Sequence, residues 1–308
     1  MTAPAATAGW QPPREIAPGV LVATSEPYTT TTTVVLGAGG CLLIDPALHV
    51  AHLRGLGEWL AGHGLRPVVA WSTHAHWDHV LWSSALDGRG ALDSTALEPA
   101  VTGSGTGQPG GGSVPRYATA RAAAACARDR AAMTAELLAE SEGHELALFA
   151  QVTPLPGPGT AIAWDGPPAL VVAHDAHTPG HGALYLPHAG VLVAGDMLSD
   201  IEIPLPGLPG EHPPDAGDPF GDYRAGLGLL AAAGARGLRH VVPGHGHVGD
   251  TAEFRRRVAA DFGYLDRVET GRDPADPRLD GAPARWLRDR HADLARLAQR
   301  ALAEGNQP

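Results

Sequence analysis

The chain has 308 residues, room for one large or two small domains, and its 44 % hydrophobic content allows a sizeable core. Charged residues are only 18 %, with 40 Gly and 28 Pro, which excludes a coiled coil or a disordered chain and suggests a loop-rich α/β protein. A formal net charge of −11, with no basic run beyond the short Arg255–Arg257, argues against a nucleic-acid partner, and no segment is long and apolar enough to span a membrane.

In chain order, residues 1–14 are rich in Ala, Pro and Thr and read as a flexible N-terminus. They lack the basic region and apolar core of a secretory signal, so a cytoplasmic location is expected. Strand-like runs follow at 19–24, 32–37 and 41–45. Residues 50–63 suit a helix with Leu53, Leu56, Trp59 and Leu60 on one stripe. Pro67–Thr73 is a short apolar run with the character of a buried strand. The pattern then breaks: residues 87–114 are dominated by Gly and Ser and read as a flexible insertion, longer than compact domains usually carry. An Ala-rich helix is predicted over 119–142, several strands between 147 and 196, and a Pro/Gly loop over 203–219 that could line a pocket. A helix over 222–236, a strand over 238–242 and a helix over 251–269 complete a domain spanning 15–270. The C-terminal part, 271–308, is a linker and a helix over 284–304, which either packs on the domain, the preferred reading, or pairs two copies as a homodimer. Cys41 and Cys126 lie in apolar or Ala-rich surroundings and are expected to be buried free thiols.

The densest chemistry is His74-Ala-His-Trp-Asp-His79, at the end of the strand 67–73. His74, His76, Asp78 and His79 offer imidazole nitrogen and carboxylate oxygen, the donors that a divalent ion such as Zn²⁺ accepts. In an extended segment His74 and His76 share a face, and a turn would aim Asp78 and His79 at a second point, so one loop can feed two ions. With 16 His in the chain, a chance surface cluster is the rival reading, but a strand end is where α/β scaffolds carry their sites. Three more strand ends supply donors: His181 within Thr178-Pro-Gly-His-Gly182, Asp196 closing Val191-Leu-Val-Ala-Gly-Asp196, and His245 within Val241-Val-Pro-Gly-His-Gly246. The neighbouring glycines allow turn conformations and close backbone approach. His174 and His177 precede His181 and are read as solvated or core-edge residues, with a supporting role to a metal site as the lesser alternative.

The order His-x-His-x-Asp-His, Pro-Gly-His-Gly, Gly-Asp, Pro-Gly-His-Gly resembles the metallo-β-lactamase superfamily over about residues 15–265, and Leu42-Leu-Ile-Asp-Pro46 resembles that family's early strand. The resemblance implies a four-layer αββα sandwich, here with an additional C-terminal helix, and two divalent metal ions, zinc being expected. Carried over by position, His74, His76 and His181 would hold the first ion, Asp78, His79 and His245 the second, and Asp196 would bridge them. Asp45 is expected to support the metal loop through a hydrogen bond rather than to ligate. The implied activity is a dinuclear-metal hydrolase that uses a metal-bridging hydroxide on an ester, lactone, thioester or amide of a small molecule, with Asp78 also relaying a proton. An aspartate at the bridging position is similar to the glyoxalase II and lactonase branch rather than to the lactamases, which generally carry another arrangement there. A β-lactamase and a mononuclear-iron sulfur oxygenase of the same fold are the alternatives.

Overall fold

The computed structural model describes residues 9–46, 48–87, 113–207, 218–281 and 284–305. A seven-stranded sheet holds, in spatial order, β1 (Trp10–Ala17), β2 (Val20–Ser25), β3 (Thr30–Leu36), β4 (Cys41–Ile44), β5 (Pro67–Trp71), β6 (Arg116–Ala118) and β7 (Thr153–Pro154). The first four strands pair antiparallel and the last four parallel. A five-stranded sheet runs β12 (Gly249–Asp250), β11 (His240–Pro243), β10 (Val191–Gly195), β9 (His181–Leu186), β8 (Leu170–His174), with β10 and β11 parallel. Helices α1 (Val50–Gly62) and α2 (Ala120–Glu140) belong with the first sheet, and α3 (Pro219–Gly234), α4 (Thr251–Glu269) and α5 (Arg285–Gly305) with the second.

The period of two along each strand explains this layering. In β4, Leu42 and Ile44 face the other sheet, where they meet Leu184, Leu186, Val191, Val193 and Val242. Their neighbours Cys41 and Leu43 point the opposite way, onto Leu53, Leu56 and Leu60 of α1 and Cys126, Met133 and Leu137 of α2. In β10, Val191 and Val193 face inward while Leu192 and Ala194 meet Leu227 and Leu230 of α3 and Leu265 of α4. Strands buried on both faces read as continuous apolar runs, as 41–44 and 191–194 do. Each Leu or Val buried this way contributes about 1.5–3 kcal/mol relative to exposure. The result is the expected αββα sandwich, with Leu287, Leu294 and Ala298 of α5 buried in the same core as α3 and α4. Cys41 and Cys126 are free and buried, and burial pushes both thiols up to about 12.

Two boundaries differ from the sequence expectation. Residues 10–14 are not part of a flexible terminus but the first half of β1, with Trp10 opposite Ser25 and Arg14 opposite Val22. Pro12 and Pro13 disguise this strand, yet β1 lies at the sheet edge, where a missing N–H is tolerated, and the register shifts between Gln11 and Arg14. Helix α3 begins at Pro219 rather than 222, because Asp218 caps it by accepting from Phe220 N–H and Pro219 fits the first turn. The expected insertion 87–114 falls almost wholly outside the described residues. Its edges are held together, with Asp87 Oδ1 accepting from Val114 N–H at 3.2 Å.

Candidate metal centre

Four parallel strand ends aim at one edge of the sandwich. β4 and β5 are parallel neighbours in one sheet, β10 and β11 in the other, so Asp45, the 74–79 loop, Asp196 and His245 all emerge at the same rim. Backbone bonds join the two sheets there: Thr31 N–H donates to Gly244 O at 2.8 Å and Gly182 N–H to Thr73 O at 2.7 Å. Two glycines are needed for this convergence. A Cβ on Gly244 would lie 2.0 Å from Asp196 Oδ1, and Gly195 takes φ +58° with a Cβ position 2.3 Å from His181 Nε2. Any side chain at 244 would fill the space between Asp196 and His79.

The donors form two groups. His74, His76, His177 and Asp196 make one; Asp78, His79 and His245 make the other, each with ligand-type atoms within 4.8 Å of one another. In the first, His76 Nδ1 lies 3.1 Å from both His74 Nε2 and His177 Nε2. In the second, His79 Nε2 is 3.3 Å from His245 Nε2, which is 3.1 Å from Asp78 Oδ2. Asp196 stands between the groups, its Oδ2 3.4 Å from His74 Nε2 and 3.3 Å from His245 Nε2, its Oδ1 3.1 Å from His79 Nε2.

The expected ligand His181 is not in either group. It is the first residue of β9, paired in register with His174, and its Nε2 lies 2.9 Å from Ala194 O, inside the sandwich. His177, in the turn between β8 and β9, takes the place assigned to it. Its Nδ1 bonds Leu205 O at 2.8 Å, which leaves Nε2 to face His76 and Asp196. Glycines flank His181, but the chain uses them for the tight turn and for packing against Trp71 and α2. Sequence reasoning also passed over Glu202, buried beside the same cavity.

Asp45 lies outside both groups. Its Oδ1 accepts from Thr73 N–H at 2.8 Å, and its Oδ2 from Thr73 Oγ1 at 2.6 Å and His79 Nδ1 at 2.9 Å. A proton held on Nδ1 by that carboxylate presents the lone pair of His79 Nε2 to the second group. His245 is oriented likewise by Tyr28 O, 3.0 Å from its Nδ1.

The electrostatics ask for a cation. Burial, then the neighbouring His79, holds His74 well below the ordinary imidazole value, and burial and His76 bring His177 down to about 3, so both are neutral donors. Burial also opposes charge on His79 and His245, but Asp196, Asp78, Asp45 and Glu202 outweigh it and raise both imidazoles well above 6.5. Burial raises Asp78 too, yet His79 and His245 bring it down to about 2. Two buried carboxylates thus draw positive charge onto the nearest imidazoles. Asp196 Oδ1 is buried with no hydrogen bond despite the nearby nitrogen, because the geometry is poor. Imidazole nitrogens crowded 3.1–3.3 Å apart with an orphaned carboxylate oxygen fit two divalent ions better than shared protons.

The donors open into a cavity of about 760 Å³. It is lined by Tyr28, Trp77 and Leu205, by Met133 and the acidic residues of α2, and by Trp286 and Arg290 of α5. Glu202 lines it with 8 % exposure. Burial, then the opposing pull of His245, then the repulsion of Asp196 and Asp78 leave its carboxyl raised to about 7.

A two-sheet αββα sandwich with His/Asp donor groups on one rim defines a class of metal-binding fold. The chain belongs to the metallo-beta-lactamase superfamily, which matches it over residues 26–304. No curated protein matches it. Among solved structures it is similar to a metallo-beta-lactamase family protein from Thermus thermophilus, at 23 % identity and TM-score 0.56, covering 92 % of each chain. It is also similar to a beta-lactamase domain protein from Burkholderia ambifaria, at 19 % identity and TM-score 0.58, covering 94 % of this chain and 89 % of that one. TMB-1, studied for the role of two residues in substrate and inhibitor binding, matches at 16 % identity and TM-score 0.52, covering 82 % of this chain and 96 % of that one. These likenesses concern the fold. Among the described residues no helix is long and apolar enough to cross a membrane.

Proposed function

We propose that this protein is a dinuclear-metal hydrolase acting on an ester, lactone, thioester or amide of a small molecule. The observation that carries the reading is the pair of donor groups with Asp196 between them. His74, His76 and His177 would hold one divalent ion, Asp78, His79 and His245 the other, and Asp196 would touch both; all-imidazole and carboxylate donors suit zinc. Two such ions, when bound, polarise an acyl oxygen and make hydroxide available at neutral pH. The complete second group argues against a single-iron oxygenase.

The protein's own contribution is positioning. Asp45 fixes the tautomer of His79 and the backbone of Thr73, so the loop 74–79 keeps its aim. Asp78 lines the cavity, its Oδ2 3.1 Å from His245 Nε2; it would take a proton from the attacking water and return it to the leaving group. Trp77, Leu205 and Met133 present apolar surface around the reacting group and limit the water that reaches it.

The test is metal analysis of the purified protein together with a panel of chromogenic ester, thioester, lactone and β-lactam substrates. The reading expects about two divalent ions per chain and chelator-sensitive turnover of at least one acyl substrate. One iron per chain, or no stoichiometric metal after supplementation, would overturn it.

A further inference from the structure

The cavity contains a carboxylate that no described residue hydrogen-bonds. Glu202 is more than nine-tenths buried, yet its side-chain oxygens make no hydrogen bond or ion pair with any described residue. Its backbone is clamped: Ser199 Oγ accepts from Glu202 N–H at 3.0 Å, and Arg278 donates to Glu202 O at 2.8 Å. The side chain is therefore presented to the cavity from a fixed base rather than from a loose loop. His245 attracts this carboxylate from a distance, but no described group bonds it, and a positive group of a ligand placed beside it would hold it in its charged form. Glu202 belongs to neither donor group, so its carboxylate is left to face the cavity contents rather than to ligate.

The rest of the lining distinguishes the remaining partners. Asp129, Glu136 and Glu140 of α2 face the same space, against two guanidiniums, Arg128 and Arg290. Arg128 is already taken by Asp129 through two bonds. Three aromatic rings line the cavity as well: Tyr28 and Trp77 stand edge to face at 6.4 Å, and Trp286 is 42 % exposed beside the mouth. A cavity lined by aromatic rings and more carboxylates than guanidiniums attracts cations and repels anions.

We propose that Glu202 pairs with a cationic group, an ammonium or alkylammonium, carried by the substrate close to its scissile acyl bond. The aromatic rings flank that group and the acidic face of α2 favours its entry. This deepens the hydrolase reading and rests on it. It names the substrate class as a positively charged acyl compound.

Thiol probes test it without turnover. The full-length protein is loaded with cobalt(II), whose visible spectrum reports the metal site, and the thiolate-to-cobalt band reports probe binding. Three probes are compared: thiocholine, its neutral isostere 3,3-dimethylbutane-1-thiol, and anionic 3-mercaptopropionate. The quaternary nitrogen of thiocholine cannot ligate the metal but does acidify its own thiol, so affinities are compared per thiolate, and the part of the preference lost in Glu202→Gln is the part the cavity supplies. The wild type is expected to bind thiocholine about tenfold or more tightly than the neutral thiol, and the anionic thiol weakest. Glu202→Gln, which keeps size and removes charge, should bring thiocholine to the affinity of the neutral thiol while the cobalt spectrum is retained. Glu136→Gln should leave most of the preference in place. Equal binding of the three probes, tighter binding of 3-mercaptopropionate, or a thiocholine preference that survives Glu202→Gln overturns the proposal. Absence of any cobalt spectrum in the wild type would instead strike the metal reading beneath it. If Glu202→Gln fails to fold, the thiolate-corrected order of the three probes on the wild type decides: no preference for thiocholine after that correction overturns the proposal.

Discussion

Arg278→Met tests how the loop between Asp196 and Glu202 is held. The guanidinium is 8 % exposed and grips Asp276 through two bonds of 2.9 and 2.7 Å, Asp261 at 2.7 Å, and the carbonyls of Glu202 at 2.8 Å and Ser199 at 3.3 Å. Asp261 is 1 % exposed. Burial drives its carboxyl up to about 6 even with Arg278 opposing, so at pH 7 its ionisation already costs roughly 3 kcal/mol relative to the unfolded chain. Methionine keeps the length of the stem but removes every bond. The stranded carboxylate and carbonyls should cost about 3–5 kcal/mol, the usual penalty for breaking a buried pair. The sign with pH follows from Asp261. Its folded-state pKa is raised, so the folded chain holds the proton more tightly, and stability falls as pH rises from the unfolded value toward the folded one. Without Arg278 the folded value climbs further. The deficit of the variant should therefore be smallest below pH 6, where Asp261 is protonated in both proteins, and grow between about pH 6 and 8. Urea unfolding at pH 5, 6, 7 and 8 measures this, with Asp261→Asn/Arg278→Met as the partner experiment, whose deficit should lose its pH dependence. A deficit under about 1 kcal/mol at pH 8, or one that does not change with pH, would refute the argument that Arg278 compensates a buried charge.

Asp45→Asn should lower metal affinity by about 10–100-fold by loosening His79 and Thr73, read by competition with a chromophoric chelator; a loss as complete as that of His74→Ala would mean that Asp45 ligates directly. His177→Ala should drop the metal content from two equivalents to about one, whereas His181→Ala should keep two equivalents and lower the melting temperature, both read by elemental analysis and thermal unfolding. With both thiols raised to about 12, on the order of 10⁻⁴ of each is thiolate at pH 8, so iodoacetamide should label neither Cys41 nor Cys126 until urea unfolds the chain, as mass spectrometry would show. Replacing residues 92–112 by a short linker should leave fold and metal content intact, because Asp87 and Val114 already meet at 3.2 Å; an unfolded or metal-free product would show that the segment belongs to the domain.

Why some of this was legible and some was not comes down to what each residue's signal depends on. The runs 41–44, 67–71 and 191–194 announce strands buried on both faces, and the His/Asp residues that follow them fall at one rim because β4 with β5 and β10 with β11 run parallel. Trp10 to Arg14 was hidden because proline reads as loop, and only the edge position of β1 makes the strand acceptable. Glu202 had no sequence signal at all: a lone acid in a Pro-rich stretch gains its meaning from Ser199 and from Arg278, which is 76 residues away.

The histidine pair is the instructive case, since a signal existed. His177 and His181 are four apart around Thr-Pro-Gly, and glycine on both sides of His181 suggests close approach to a metal. Strand parity says otherwise. His181 begins the run His-Gly-Ala-Leu-Tyr-Leu and shares its parity with Ala183 and Tyr185, which pack toward α3 and α4, while Leu184 and Leu186 face the opposite sheet. A side chain locked into that alternation cannot also leave the strand end for the rim. His177 lies before the strand, in a turn whose backbone is free of the ladder, and can reach Asp196 while Leu205 O orients its ring. On the proposed reading the donor therefore belongs to the turn, while the histidine inside the strand serves as its foundation: it lies against His74, stacked on it at 4.9 Å, and Gly195 must be glycine to leave room for it.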